Sequence, residues 1–211
     1  MTVTNPQKPA APSTANPRKP DHPVADLFVD RWSPRAFTSE AIPDETVTTL
    51  FEAARWAASS YNSQPWNFIY AKRDEPAFAR IVGTLSERNQ AWAPQAALLI
   101  VVTSNTLFTP PGQSAPVPWP THAFDSGAAW ANLALQAQLS GWHAHAMAGF
   151  DGARVRSELA VPTAYDIHAV VAVGRRGDKS LLPEAFQAAE TPNGRKPIAA
   201  FVHRGRFSDG L

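Results

Sequence analysis

Residues 96–104, with the sequence AALLIVVTS, form a continuous apolar run that is rich in branched side chains. A run of this kind, without alternation of polar and apolar residues, is typical of a β-strand that is covered on both faces. Further strands are predicted at 66–72 (WNFIYAK), 142–150 (WHAHAMAGF) and 169–175 (AVVAVGR). Because helical patterns alternate with these strands, the sequence predicts an α/β or α+β protein with one central sheet.

Helical patterns occupy much of the sequence between the strands. After Pro43, the residues Val47, Leu50, Phe51 and Ala54 repeat with the spacing of a buried helix face. Residues 76–87 and 125–141 are also predicted helices, the second with Asp125 as N-cap and Gly141 as C-cap. The small residues Gly127, Ala128, Ala131 and Ala134 predict a thin side of this helix, which a flat partner could approach closely.

Two proline-rich segments are predicted to lack regular structure. Residues 1–23 contain six of the 20 prolines, so we expect a flexible tail followed by one domain over 24–211. Residues 105–121 include five prolines between 110 and 120 and are predicted to form a long loop. Long loops in compact domains often act as lids over functional sites.

The composition excludes several classes of protein. A formal net charge of +1 argues against a protein that binds nucleic acid by phosphate neutralisation. Without cysteine the chain has no thiolate chemistry, so a redox role would require a bound cofactor. The apolar runs are too short to span a membrane and the N-terminus has no hydrophobic core, so we expect a cytoplasmic protein without a signal peptide.

Polar side chains are concentrated at 58–66, ASSYNSQPW, where the first long helix ends. The candidate donors and acceptors among them are four side chains, those of Ser59, Ser60, Asn62 and Gln64. One interpretation is a local cap that satisfies the free carbonyl groups of the helix end. Because one or two polar residues would be enough for a cap, the excess favours a ligand with several ring heteroatoms.

Two guanidinium groups and a hydroxyl share one side of the extended segment 31–37, RWSPRAF. Alternate residues of an extended chain point the same way, so Arg31, Ser33 and Arg35 are predicted to lie on one face. Paired arginines suit a phosphate group, although a solvated basic edge would explain the same pattern. The histidines at 143 and 145 also share a face of their strand, but without a third ligand we expect no metal site.

Several motifs together resemble the nitroreductase family of FMN-dependent oxidoreductases. RWSPRAF resembles the family's Arg-x-Ser-x-Arg/Lys-x-Phe segment. ASSYNSQPW resembles its Pro-Ser-x-x-Asn-x-Gln-Pro-Trp run, with Ala58 where the family commonly has proline. Further segments resemble the family in the same order: NQAWAPQAALLIVV (89–102), DSGAAWANLALQAQLSGW (125–142), MAGF (147–150), VGRRG (173–177) and TPNGRKP (191–197). The resemblance extends from about residue 25 to residue 207.

The resemblance implies an α+β, nitroreductase-like fold with a central mixed, mostly antiparallel sheet flanked by helices. It implies an intertwined homodimer in which a C-terminal segment, about 198–207, reaches across to the partner and the FMN sites lie at the subunit interface. The implied cofactor is FMN, with NADH or NADPH as co-substrate. The implied reaction is a ping-pong reduction of nitroaromatic, quinone or other conjugated acceptors.

The resemblance also implies roles for individual residues. The implied FMN-binding residues are Arg31, Ser33, Arg35, Ser59, Ser60, Asn62, Gln64, Asn89, Ala148, Gly149 and Arg195. Within this set, Arg31, Ser33 and Arg195 would hold the phosphate, and Arg35 would lie near the N1–C2=O edge of the flavin. The backbone of Ala148 and Gly149 would lie near N5, so no catalytic side chain is implied. Candidate walls of the acceptor pocket are Phe108, Trp119 and Trp92, with ordinary packing as the alternative for all three.

Three alternatives stay open at this point. A family member with another flavin reaction, such as dehalogenation, flavin fragmentation or semialdehyde reduction, would share the same FMN residues. A flavin-binding protein without turnover, a sensor or a carrier, would bind FMN but accept electrons slowly from NAD(P)H. A plain interaction domain would use ASSYNSQPW only as a capped turn and would be colourless.

Overall fold

A computed structural model describes residues 16–207 of the chain. Residues 1–15, which are most of the predicted tail, and residues 208–211 lie outside the described residues. The described end of the tail contacts the domain: Asn16 Nδ2 donates to Asp30 Oδ1 over 3.0 Å, and Arg18 Nη1 donates to the Arg31 carbonyl oxygen over 2.8 Å. Contacts with the domain therefore begin before the predicted start at residue 24.

The described residues form six strands: β1 (Trp66–Lys72), β2 (Leu98–Asn105), β3 (Leu107–Phe108), β4 (Val117–Pro118), β5 (His143–Met147) and β6 (Tyr165–Gly174). Four of them make the central sheet in the order β1, β2, β6, β5, and each of its three pairings is antiparallel. All four predicted strands are thus confirmed. β6 begins four residues before its predicted start, and no parallel pairing of the kind that a mixed sheet implies occurs within residues 16–207.

The helices are α1 (Asp26–Asp30), α2 (Asp44–Arg55), α3 (Pro76–Thr84), α4 (Glu87–Gln90), α5 (His122–Leu139), α6 (Gly152–Glu158) and α7 (Glu184–Gln187). Short 3-10 turns occur at Ser60–Asn62, Ala93–Gln95, Lys179–Leu181 and Ile198–Ala200. α5 begins at His122, so Thr121 is its N-cap residue and Asp125, the predicted N-cap, lies within the first turn. Gly141 follows the helix with a φ of 76°, the left-handed conformation that favours glycine after a helix end.

The core lies on both faces of the sheet, as the apolar run of β2 predicts. Alternate residues of β2 enter two clusters: Leu99 and Val101 pack on one side, and Leu98 and Ile100 pack on the other. The first cluster includes Phe78 and Ile81 of α3, and the second includes Leu50 of α2 and Leu133 of α5. Both faces of β2 are therefore covered by helices, and the prediction for this strand is confirmed.

The proline-rich segment 105–121 is more ordered than the sequence predicts. β3 and β4 pair as a short antiparallel hairpin, and the Trp119 N–H donates to the Thr106 carbonyl oxygen over 2.8 Å. The prediction of a loop without regular structure is wrong in this respect. Over residues 16–207, no helix combines the length and the hydropathy that crossing a membrane would require.

Candidate functional site

The extended segment after α1 carries the first predicted binding group. Trp32, Pro34 and Ala36 are buried, whereas Arg31, Ser33 and Arg35 are only half-buried, so the predicted alternation of faces is present. Arg31 Nη1 donates to the Ser33 hydroxyl oxygen over 3.3 Å. The structure thus brings a guanidinium and a hydroxyl together on the outer face of this segment.

A cavity of about 440 Å³ opens beside Arg31 and Ser33. Its other lining residues are Phe28, Trp130, Ala131, Ala134, Leu135 and Ala146. The small side chains at 131 and 134 belong to the predicted thin side of α5, and they allow a flat group to lie close to the helix. The volume is within the range of about 300–1,000 Å³ that is usual for small-molecule sites.

Positive charge accumulates at the end of this cavity. Burial lowers the pKa of Arg31, and the positive charge of Arg195 lowers the pKa of Arg31 further. Neither arginine takes part in an ion pair with any residue between 16 and 207. Because guanidinium groups keep their proton at neutral pH, these two like charges make this end of the cavity a favourable place for an anion.

Arg35 has a partner that the sequence did not indicate. Its Nη1 lies 3.6 Å from Oε2 of Glu190, a carboxylate whose side chain is only 3% exposed. The other oxygen, Glu190 Oε1, accepts hydrogen bonds from the backbone N–H groups of Arg35 and Ala36 over 2.6 and 2.9 Å. The charge of Arg35 is therefore partly offset within the chain, unlike that of Arg31.

The turn at 59–64 carries the second predicted binding group. Tyr61, Asn62 and Gln64 all have φ near +50°, a conformation that is uncommon for residues other than glycine and that tends to occur at functional sites. One side-chain contact lies within the turn itself: the Ser59 hydroxyl oxygen accepts from the Gln64 N–H over 3.1 Å, and this contact pairs no carbonyl group at the end of α2. The Ser60 hydroxyl and the Asn62 side-chain amide, by contrast, have no hydrogen-bond partner in the described part of the chain, which leaves both groups available to a ligand.

Asp125 fixes this turn to the start of α5. Its Oδ2 accepts hydrogen bonds from the Ser60 N–H over 3.2 Å and from the Thr121 hydroxyl over 3.0 Å, and the residue is 3% exposed. The sequence identified Asp125 only as a helix cap. Its contact with Ser60 joins residues 65 positions apart, which a local capping pattern cannot reveal.

The two binding groups of one chain lie on opposite sides of α5. Ala134, which faces the cavity, comes nine residues after Asp125, which holds the turn. At 3.6 residues per turn and 1.5 Å per residue, nine residues correspond to a rotation of about 180° and a shift of about 14 Å along the helix axis. The cavity beside Arg31 and the turn that carries Ser60 and Asn62 of the same chain therefore lie at different faces and different levels of α5.

Gly149 and Asn89 are brought together after the end of β5. Asn89 Nδ2 and the Ser86 N–H both donate to the Gly149 carbonyl oxygen, each over 2.9 Å. A Cβ atom at Gly149 would lie 2.8 Å from Asn89 Nδ2 and from Ser86 Oγ, so a side chain at this position would displace these two groups. Asn89 thus holds the backbone at 149, while Ala148 beside it is exposed.

The predicted pocket aromatics divide into two groups. Phe108 and Trp119 lie together on the β3–β4 hairpin with ring centroids 4.8 Å apart, and Tyr61 contacts Trp119 edge-on at 5.7 Å. This contact joins the hairpin to the turn at 59–64. Trp92 instead belongs to the core: it is 1% exposed and packs 4.7 Å from the His145 ring, so it does not line an open face.

His145 forms a hydrogen bond to the backbone of the extended segment 31–37. Its Nδ1 lies 3.0 Å from the Pro34 carbonyl oxygen, so this nitrogen carries the proton and donates to the segment between Ser33 and Arg35. The pKa of His145 is lowered from the ordinary 6.5 to about 4, chiefly by burial and also by the nearby charge of Arg35, although the hydrogen bond to Pro34 raises it. Among residues 16–207, no three His, Asp or Glu side chains, His143 and His145 included, are grouped closely enough to hold a metal ion.

The pKa of His145 predicts a pH-dependent stability. The folded pKa of about 4 lies below the unfolded value of 6.5, so the unfolded chain binds more protons as the pH falls through this window. We expect the free energy of unfolding to decrease by about 2 kcal/mol between about pH 7 and pH 5 from this residue. Denaturant unfolding of wild type and His145→Asn, which retains a donor but does not titrate, measures the difference. Equal pH dependence in the two proteins would contradict the expectation.

The family model for the nitroreductase family matches residues 29–81 and 71–175 of the chain. A solved structure of an oxidoreductase containing FMN is 41% identical in sequence and superposes with a TM-score of 0.88, covering 93% of this chain and 99% of that chain. Both Arg18 and Arg195 lie outside the matched residues.

Curated proteins agree with this result. A protein of Burkholderia lata, provisionally named NADH dehydrogenase/NAD(P)H nitroreductase, is 26% identical over 182 residues, which are 78% of this chain and 91% of that protein. A protein of Rhodopseudomonas palustris with the same provisional name is 29% identical over 89 residues, which are 42% of this chain. This second match spans 45% of that relative, less than half of its length. Since the family model matches well over half of the 211 residues and the fold agrees, the chain belongs to the nitroreductase family.

Proposed function

We propose that the protein is an FMN-dependent oxidoreductase that uses NADH or NADPH to reduce nitroaromatic, quinone or other conjugated acceptors. The observation that carries this proposal is the cavity in which Arg31 and Ser33 face the thin side of α5. An anion-binding group beside an apolar wall of alanines and larger side chains suits a phosphate ester attached to a flat ring system. The 41% identical oxidoreductase containing FMN supports the same cofactor.

The phosphate of FMN is assigned to Arg31, Ser33 and Arg195. Arg31 and Ser33 line the cavity, and Arg195 is close enough to lower the pKa of Arg31 by its charge. A guanidinium donates in pairs to phosphate oxygens, and a hydroxyl donates once more. The flat ring would then lie along Ala131 and Ala134, in a cavity that the larger apolar side chains of Trp130 and Leu135 also line.

Other residues of the chain would orient the flavin ring and influence how readily it carries negative charge. When bound, the flavin supplies the redox chemistry, since it accepts a hydride and passes the electrons on. Arg35 would stabilise negative charge near the N1–C2=O edge of a bound flavin, and its ion pair with Glu190 would limit that effect. The backbone of Ala148 and Gly149 is proposed to lie near N5, where Asn89 keeps it fixed.

We further propose that two copies of the chain complete each site. Ser59, Ser60, Asn62 and Gln64 of one copy would reach the ring held by Arg31 of the other, because they lie on the opposite side of α5 from their own cavity. Several large apolar side chains are exposed and fit a subunit interface: Trp56, Phe124, Leu139, Ile198, Phe201, Val202 and Phe207. The last four belong to the C-terminal segment proposed to reach across to the partner.

The acceptor is proposed to bind between the flavin and the aromatic group of the hairpin. Phe108 and Trp119 are half-buried there and Tyr61 is exposed, so their rings offer flat apolar surface to a conjugated molecule. A single open face shared by NAD(P)H and the acceptor requires that one leaves before the other binds. This sharing is the reason for proposing a ping-pong mechanism.

Steady-state kinetics test the proposal. Initial rates with varied NADH or NADPH at several fixed quinone concentrations are expected to give parallel double-reciprocal lines, which is the pattern of a ping-pong reaction. Intersecting lines would contradict the shared face. A protein that holds FMN but turns over neither NADH nor NADPH with any quinone or nitroaromatic would instead be a flavin-binding protein without this activity.

A further inference from the structure

Arg18, in the segment that the sequence predicts as a flexible tail, makes an unusual set of contacts. Its Nη1 donates to the carbonyl oxygens of Val29 and Arg31 over 3.0 and 2.8 Å. Its Nε donates to the carbonyl oxygen of Asn193 over 2.7 Å, and its Nη2 lies 3.4 Å from Asn193 Oδ1. One guanidinium therefore joins two segments that are more than 160 residues apart in the chain.

Both segments belong to the proposed phosphate site. The Arg31 carbonyl is on the residue whose side chain faces the cavity, and Asn193 precedes Arg195 by two residues. The Arg195 side chain itself is exposed and donates only to the carbonyl oxygens of Asn193 and Gly194 within the described chain. Without the Arg18 contacts, the hydrogen bonds of the described chain would leave the 193–195 segment less firmly tied to Arg31.

The position of Arg18 brings a third like charge to the same place. Burial lowers the pKa of Arg18, and the charges of Arg195 and Arg31 lower it further. No carboxylate forms an ion pair with any of the three arginines between residues 16 and 207. Three neighbouring cations without a counter-ion repel one another, and a dianionic ligand would remove that repulsion.

We propose that Arg18 is a positioning residue of the phosphate site, which ties the loop of Arg195 to the backbone of Arg31 so that a phosphate monoester meets both guanidiniums in a fixed geometry. This inference rests on the proposed function, since FMN is the monoester assigned to the cavity. Arg18 itself does not need to contact the ligand, because its donors are directed at carbonyl oxygens.

The dissociation constants of FMN and riboflavin for the full-length apoprotein test this role, because riboflavin has the same ring but no phosphate. We expect Arg18→Gln to raise the Kd of FMN about tenfold or more and to change the Kd of riboflavin less than about twofold. Arg18→Lys keeps the positive charge, but an ammonium group cannot bridge the three carbonyl groups as the planar guanidinium does. We therefore expect Arg18→Lys to bind FMN more tightly than Arg18→Gln but more weakly than the wild type. Lys19→Gln is the matched control, since it removes one positive charge from the exposed neighbouring residue.

The outcomes separate this inference from the function on which it rests. If the wild-type apoprotein binds neither FMN nor riboflavin, the proposed function fails and the role of Arg18 fails with it. If the wild type binds FMN and Arg18→Gln binds it equally well, only the role of Arg18 is overturned. If Arg18→Lys binds FMN with wild-type affinity, or if Lys19→Gln loses as much FMN affinity as Arg18→Gln, the effect would be due to charge alone. Either result would contradict a positioning role. Thermal unfolding of each apoprotein verifies that the variants are folded.

Discussion

An Arg31→Gln variant is expected to bind FMN about 10- to 100-fold more weakly than the wild-type chain, because hydrogen bonds to charged groups contribute about 1.5–3 kcal/mol each. Arg31 is partly buried at the end of the cavity, where a charge is screened less than at an exposed position. The Arg31 side chain forms no ion pair within residues 16–207, so the variant leaves no buried carboxylate without a partner. Fluorescence titration of the apoprotein with FMN measures the change.

Two controls make this expectation specific. Riboflavin should bind the variant with an affinity within about twofold of wild type, since the lost donor is assigned to the phosphate. Arg80→Gln removes the same charge from an exposed position on α3 and should leave both affinities unchanged. Equal losses for FMN and riboflavin would place Arg31 at the ring instead of the phosphate, and no loss for either ligand would remove Arg31 from the site.

Heterodimers of two deficient variants are expected to regain one complete site. The first variant is Arg31→Gln, and the second combines Ser60→Ala with Asn62→Ala, whose side chains have no partner within the described chain. If each site takes Arg31 from one copy and the turn from the other, a heterodimer has one site with both defects and one site with neither. Heterodimers purified through two different tags should therefore bind about one FMN per dimer with wild-type affinity.

A site formed within a single chain predicts a different result. If Arg31 and the turn of the same chain formed one site, each site of the heterodimer would have one defect and none would bind with wild-type affinity. The positions of Asp125 and Ala134 on opposite sides of α5 favour the shared arrangement. Homodimers of each variant serve as controls, since both should lack a high-affinity site.

The regular parts of the fold could be predicted from hydrophobic patterns. The uninterrupted apolar run of β2 predicts burial on both faces, and its side chains do enter two separate clusters. The spacing of Val47, Leu50 and Ala54 predicts the buried face of α2. Each of these patterns depends only on neighbours in the sequence, so the sequence was sufficient for them.

The hairpin and the position of Trp92 could not be predicted in this way. β3 and β4 contain two residues each and one of these is proline, so neither strand is long enough to show an alternating pattern. Trp92 is one aromatic residue between short helical turns, and its burial against Phe37 and His145 depends on segments far away in the sequence. A single aromatic side chain carries no periodicity that would distinguish a core position from a pocket wall.

The candidate site was predicted through its motifs, whereas the residues that support it were not. Glu190 accepts from two backbone N–H groups more than 150 positions away, and Arg18 donates to carbonyl oxygens in two distant segments. Backbone groups are the same at every position, so no residue type marks them as partners. The composition of residues 1–23 favours a tail, and only the three-dimensional structure reveals that Arg18 contacts the domain.

The central proposal is tested most directly by an absorption spectrum. The purified protein is saturated with FMN and separated from the excess, and its spectrum is recorded before and after NADH or NADPH is added in the absence of oxygen. We expect a visible flavin absorption band that bleaches with at least one donor and returns when a quinone or a nitroaromatic is added. A colourless protein that takes up no added FMN would contradict the cofactor assignment and the role of Arg31. A yellow protein that neither donor bleaches would contradict the proposed oxidoreductase activity.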